Sequence, residues 1–317
     1  MTMPPNGAYQ PWRHRFAALT AASTLVLIYM GGLVTTTGSG LAVPDWPLSY
    51  GMLMPPMVGG VRYEHGHRMA ASAVGLLTLV LAIWTARSEP RRGVRNLAWI
   101  ALAAVVAQGL LGGLTVLFLL PTPVSVAHAC LAQTFLCLTI ALTYATSREW
   151  TAAAPQSDTA GLRGAAALAT GIVFIQLLLG ALMRHLGAGL AIPDFPLSLG
   201  RVVPPLDTAP VAVHFAHRLG ALLVLGSVAW LFVRARRSRD ARFRPLAALA
   251  LGLAVIQIGL GALTVLSEKA VVPTTSHVAV GAAILGLCFF LALRARRLLH
   301  PHRVVLVGLA SATAGGA

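Results

Sequence analysis

The stretch Gly38-Ser39-Gly40-Leu41-Ala42-Val43-Pro44-Asp45-Trp46-Pro47-Leu48-Ser49-Tyr50-Gly51 returns 149 residues later. There it reads Gly187-Ala188-Gly189-Leu190-Ala191-Ile192-Pro193-Asp194-Phe195-Pro196-Leu197-Ser198-Leu199-Gly200. The same offset carries Pro55-Pro56 onto Pro204-Pro205 and the run from Gln108 to Leu117 onto that from Gln257 to Leu266, with Gly112 on Gly261. It also carries His128 onto His277. Around one position it slips to 150, so that His67-Arg68 falls on His217-Arg218. Self-similarity on this scale marks an internal duplication.

The chain has 317 residues, 57% hydrophobic and 10% charged, with a mean hydropathy of +0.77; a soluble domain carries about 25% charged residues. Apolar stretches run over 16–37, 66–86, 96–120, 124–147, 164–183, 213–233, 245–266 and 274–293. Each is near the roughly 20 residues that cross a hydrocarbon core of about 30 Å. Lipid offers open backbone groups no partner, so all eight spans are expected as helices. The class is an all-α, polytopic membrane protein built as two tandem four-helix bundles, 1–150 and 164–317, joined by a cytoplasmic linker at 151–163. Four spans return the chain to its starting side, so the halves share one orientation and a pseudo-two-fold axis along the membrane normal. Arg13, His14 and Arg15 precede the first span as in a signal peptide. No obvious small-residue cleavage site follows, and the span belongs to the repeat, so it is read as retained.

The net charge of +15 suggests nucleic acid only until the residues are placed. Arg13, Arg15, Arg87, Arg91, Arg92, Arg95, Arg148, Arg163, the six arginines from Arg234 to Arg244, Arg294, Arg296, Arg297 and Arg303 make 18 of the 24 basic residues. All fall on one side of an eight-span chain. The positive-inside rule puts that side and both termini in the cytoplasm of a cell-membrane protein. The excess is thus a topology signal, and the expected surroundings are lipid rather than nucleic acid. Cys130, Cys137 and Cys288 lie inside spans and read as apolar packing residues; none lies in an outer loop, so there is no disulfide signal there.

Counting spans puts His67, His128, His217 and His277 at the outer ends of spans two, four, six and eight, at one depth. An imidazole at a membrane edge is costly without a function. One such histidine reads as a cap or core residue, whereas four in matched places read as ligands. Neutral imidazole suits haem iron, and two helices of a bundle can each supply one. The pairs are His67 with His128 and His217 with His277. A zinc or copper site lacks matching third and fourth ligands and a thiolate. Arg68 and Arg218 follow directly, and their donor forks suit haem propionates; interfacial snorkelling is the alternative.

Glu64 stands three residues before His67 and falls opposite His214, so the halves differ there. A carboxylate beside one pair can accept a proton or orient a bound group; a helix-start acid favoured by the dipole is the alternative. Asp45 and Asp194 lie in Pro-Asp-aromatic-Pro segments, expected as short amphipathic lids over the outer mouth of each half, with turn formation explaining the acids equally well. Gly109-Leu110-Leu111-Gly112-Gly113 suggests close helix contact without specific chemistry. His14, His65, His185, His300 and His302 have no repeat partner and read as incidental.

Together, Gly38-Ser39-Gly40-Leu41, Pro44-Asp45-Trp46-Pro47, Glu64-His65-Gly66-His67-Arg68, His128, His217-Arg218 and His277 resemble the haem A synthase family, bacterial and mitochondrial, over essentially all eight spans. The resemblance implies an oxidoreductase that converts haem O to haem A for terminal oxidases. Two successive hydroxylations of a porphyrin methyl give a geminal diol that loses water to a formyl group. It implies substrate haem O between His67 and His128, Glu64 as the essential carboxylate, and resident haem B between His217 and His277. A haem O synthase and cytochrome oxidase assembly factors are implied partners, beside an electron acceptor of unknown identity. Some bacterial members carry a cysteine pair in the first outer loop; this chain has no cysteine between Gly38 and Glu64. The alternative is a di-haem electron carrier of the cytochrome b or quinol oxidoreductase type, which needs the four histidines but not Glu64. A parallel-repeat transporter would need polar groups at mid-membrane, where there is little beyond Gln108, Gln133, Gln176 and Gln257.

Overall fold

A computed structural model describes residues 9–154, 156–158 and 160–301. Pro155 of the linker, His302, and Arg303 of the basic set lie outside the described residues. Eight helices are long and apolar enough to cross a membrane: α1 (Pro11–Thr36), α2 (Val61–Ser88), α3 (Arg92–Leu117), α4 (Thr122–Ala145), α6 (Leu162–His185), α7 (Ala209–Arg237), α8 (Arg244–Leu266) and α9 (Val271–Leu298). A short α5 (Arg148–Ala152) stands between the halves. The chain is thus an all-α, multi-pass membrane protein. Several helices outrun the apolar stretches because polar first and last turns continue the backbone ladder. Pro11, Pro123, Pro210 and Pro245 sit at the first or second helical position, where a missing N–H costs nothing.

Helices α1 to α4 pack as a ring, each against its chain neighbour and α4 against α1; α6 to α9 do the same. The halves meet through α1 on α9, α4 on α6 and α4 on α9. In lipid, close backbone approach rather than the hydrophobic effect drives helix association. The second half shows it: Ala165, Ala166, Ala169, Ala247, Ala250 and Ala254 are buried in its core.

Polar ties close the basic end. Glu89 Oε2 accepts from Arg13 at 2.7 Å while its Oε1 accepts from Arg91 Nε at 2.7 Å, and Arg91 also donates to the Ala145 carbonyl. Asp240 and Arg242 repeat the acid-x-Arg pair before α8, and Glu149 of α5 binds both Arg242 and Arg294. The described part of the linker forms secondary structure. Strand β1 (Gln156–Asp158) pairs in parallel with β2 (Leu299–Pro301), and Asp158 caps α6 through the N–H groups of Leu162 and Arg163. This small ribbon was not legible in the hydropathy.

At the opposite end the two duplicated loops fold alike. Asp45 accepts from the N–H groups of Tyr50 (2.6 Å) and Gly51 (2.8 Å), and Asp194 from those of Leu199 (2.7 Å) and Gly200 (2.8 Å). All four donors have positive φ. The Gly51 and Tyr50 bonds hold the Asp45 carboxyl below its ordinary value, and those of Gly200 and Leu199 do so for Asp194. Turn formation is therefore what these acids do. The segments are bends and turns, as their prolines require.

Candidate functional site

Each ring closes around two histidine-bearing helices at opposite corners, α2 and α4 in the first half, α7 and α9 in the second. Each histidine ring is seated on a glycine of the preceding long helix. A methyl built on Gly31 would stand 3.1 Å from Cε1 of His67; on Gly112, 3.2 Å from that of His128; on Gly180, 2.9 Å from that of His217; on Gly261, 3.1 Å from that of His277. All four glycines lie five residues before the last residue of their helix, roughly 7.5 Å of rise. The four seats therefore stand at equal distances from the ends of their helices. The Gly112–Gly261 match has a function after all: it makes room for imidazoles. Gly31 and Gly180 also match at the offset of 149, a signal the sequence carried but its reading missed.

The rings of His217 and His277 stand with centres 6.3 Å apart, their planes at 61°. Two imidazoles that share one metal at roughly 2 Å per nitrogen bond hold their centres about 6 to 6.5 Å apart. The distance between the His217 and His277 ring centres matches that spacing.

Three of the four mid-span glutamines serve these histidines. Gln108, Gln176 and Gln257 donate through Nε2 to the carbonyls of His128 (3.0 Å), His217 (2.7 Å) and His277 (2.8 Å). Gln176 Nε2 also lies 3.1 Å from Nδ1 of His217. Nδ1 of His277 lies 3.1 Å from the Gln257 main-chain oxygen, a bond that fixes the tautomer and leaves Nε2 for a metal. In the first half, Nδ1 of both His67 and His128 is buried without a partner.

Glu64 is 3% exposed; it accepts from the Val43 N–H at 2.8 Å and pairs with Arg68 at 2.6 Å. His214 does the equivalent work in the second half, where Nδ1 accepts from the Ile192 N–H at 3.3 Å. The 150-residue register at this point is thus borne out by shared contacts. Arg68 donates to the carbonyls of Asp45 (2.7 Å), Leu48 (2.9 Å) and Val43 (3.3 Å), and Arg218 to those of Leu197 (2.8 Å), Ile192 (3.0 Å) and Asp194 (2.7 Å). Both guanidinium groups clamp the loop to the helix below it, and each keeps its Nε without a hydrogen bond among the described residues.

Trp46 lies against α3: a methyl on Gly113, next to the seat of His128, would stand 2.6 Å from its indole. In the second half the matching residues are Phe195 and Ala262. His65 is not incidental, being buried with Nδ1 2.8 Å from the Ser49 hydroxyl. His14 reaches the Thr143 carbonyl at 3.0 Å, and the His185 carbonyl accepts from Thr122. The three cysteines are free.

Comparison with known proteins gives the family. The family described as "Cytochrome oxidase assembly protein" matches residues 61–289. The chain is 36% identical to the heme A synthase of Symbiobacterium thermophilum over 78% of its own length and 84% of the relative's. It is 30% identical to that of Alkalihalophilus pseudofirmus over 66% and 72%, and 29% identical to that of Geobacillus kaustophilus over 89% and 92%. The chain belongs to the family of the haem A synthases.

Proposed function

We propose that this protein is a haem A synthase, an oxidoreductase that takes haem O as substrate and returns haem A. The observation that carries the reading is the ring pair His217–His277, spaced for one iron and seated on Gly180 and Gly261. The residues fit a haem: each imidazole rests in a cradle that a Cβ would fill, and the Gln257 carbonyl at Nδ1 of His277 leaves its Nε2 for a metal. In this reading His217 and His277 hold resident haem B, which supplies one-electron redox chemistry when bound. His67 and His128 hold the substrate. Glu64, one helical turn from His67 and buried against Arg68, accepts or relays a proton at its carboxylate. Arg68 and Arg218 contact propionates through the donors not committed to loop carbonyls. The lid carrying Trp46 keeps water from the first site. The basic end faces the cytoplasm and the haem sites lie toward the outer face, with the halves related about the membrane normal. A haem O synthase delivers the substrate, and cytochrome oxidase assembly takes up the product.

The test is extraction of haem from the purified protein followed by chromatography. Haem O or haem A beside haem B is the expected result. Haem B alone, unchanged by co-expression of a haem O-producing enzyme, would turn the reading toward the di-haem electron carrier, which nothing in the comparisons favours. No haem at all would sink both.

A further inference from the structure

Arg184 stands one helical turn after Gly180, the seat of His217, and so on the same face of α6. Its head reaches across to the first half. Nη2 donates to the Gly32 carbonyl at 3.1 Å and to the Thr36 hydroxyl at 2.9 Å. Gly32 is where α1 meets α9 beside His277: a Cβ on it would stand 3.4 Å from Cβ of Val278 and 3.6 Å from Cγ2 of Thr275. The guanidinium charge is accordingly felt at the His277 ring. Arg184 thus lies between the seat of one ligand candidate and the helix that carries the other. Thr122 of α4 pins the same end of α6 by donating to the His185 carbonyl.

Both N–H groups of Nη2 are engaged in these bonds. Those of Nη1 and Nε have no partner among the described residues. No carboxylate there pairs with Arg184 either. The ion pairs of Glu64, Glu89, Glu149 and Asp240 all go to other arginines, and Asp45 and Asp194 are engaged in their own turns. A guanidinium half-buried between membrane helices is costly without a counter-charge. The first half has no such group. At the offset of 149 its residue is Thr35, whose hydroxyl returns to the Gly31 carbonyl of its own helix at 3.1 Å. Within the second half, Arg218 keeps only Nε free of loop carbonyls. Arg184 has more donors to offer a bound anion.

We propose that Arg184 binds a propionate carboxylate of the haem held by His217 and His277. The inference rests on the reading of those histidines as haem ligands and adds a residue that separates the two sites. The carboxylate is held by charge-assisted hydrogen bonds from Nη1 and Nε. Because the same guanidinium grips α1, the haem of the second half is fastened to the first half through it. A fixed positive charge beside that haem favours ferrous over ferric iron. The first site, with Thr35 at the matching place, lacks this bias.

The test compares two variants of the detergent-purified full chain with its haem B. Arg184→Gln can still donate to Gly32 but carries no charge, whereas Arg184→Lys keeps a charge. Redox titration is expected to show a downward shift of the haem B midpoint potential in Arg184→Gln and a smaller shift or none in Arg184→Lys. With isotope-labelled propionate carboxyls on the haem, the labelled bands of the redox-difference infrared spectrum are expected to move in Arg184→Gln. Loss of haem B from Arg184→Gln with retention in Arg184→Lys would support the inference too. Labelled bands that stay in place would overturn it whatever the potential does; beside a lowered potential, they would mean that the arginine holds a lipid phosphate instead. Equal shifts in both variants, or loss of haem from both, would make Arg184 a packing residue and overturn the inference while leaving the haem sites standing. A His217→Ala protein that keeps its haem B in full would instead defeat the ligand assignment itself, and the inference with it.

Discussion

The ring of His217 rests on the α-carbon of Gly180 so closely that one added methyl would stand 2.9 Å from Cε1. No imidazole accepts that without moving. The same relation recurs three times, at 3.1 Å for Gly31 and Gly261 and at 3.2 Å for Gly112. Alanine at these positions is therefore expected to lower haem content in the order of crowding, Gly180→Ala most and Gly112→Ala least. Overpacking of this kind costs about 1–3 kcal/mol. Haem-to-protein ratios from pyridine haemochrome spectra check the order; four variants with full haem content would refute the seating.

Glu64 has two roles that a single substitution confounds, because its carboxylate also fastens Val43. Glu64→Gln keeps an oxygen for the Val43 N–H and removes the charge. It is expected to retain haem B and the fold of the Val43 loop while haem A formation falls at least 100-fold, the lower range for a positioned acid–base group. Haem A formation at the normal rate in Glu64→Gln would assign the residue to the loop alone.

Trp46 and Gly113 are a size-matched pair, as the repeat positions Phe195 and Ala262 are. Gly113→Ala alone is expected to displace the indole and expose it, seen as quenching of tryptophan fluorescence by iodide. Trp46→Phe with Gly113→Ala copies the second half and should recover the stability lost in Gly113→Ala. A thermal unfolding midpoint equally low in the double variant would argue against the pairing.

The two duplicated loops should loosen only in strong acid. Hydrogen bonds from Gly51 and Tyr50 lower the folded pKa of Asp45 beneath the ordinary 3.8. A depressed carboxylate stabilises fully above its unfolded pKa, and the contribution is lost as pH falls through the lower folded value. Amide exchange at Tyr50 and Gly51 is thus expected to be flat down to about pH 4 and, corrected for intrinsic chemistry, to rise below it. Asp45→Asn should abolish that dependence. An onset near neutrality would point to another group.

Much of this was legible without coordinates. Span number, the duplication, the four histidines and their places near helix ends follow from hydropathy and counting, since lipid forces helices and fixes their length. The odd position, Glu64 against His214, was also visible in the register. The glycine seats were half visible: Gly112 and Gly261 aligned, but nothing local says that an imidazole from the next helix lies on them. Gln176 read as a stray polar residue, and its meaning needed the neighbour across the helix interface. Arg68 and Arg218 read as anion binders, while the folded chain turns most of their donors onto loop carbonyls that only tertiary structure brings within reach.

By itself, then, the sequence determined what depends on one residue and its near neighbours: which segments enter lipid, how often the chain crosses, and which side chains sit at each crossing's end. Tertiary structure alone decided what depends on two helices at once. That covers the 6.3 Å between His217 and His277, the partner at one Nδ1 and its lack at another, and the burial of Glu64 beneath Val43. The physical reason is directional. A hydropathy pattern fixes depth along the membrane normal, whereas ligand spacing and hydrogen bonding depend on helix rotation and approach, which are set by packing between faces distant in the chain.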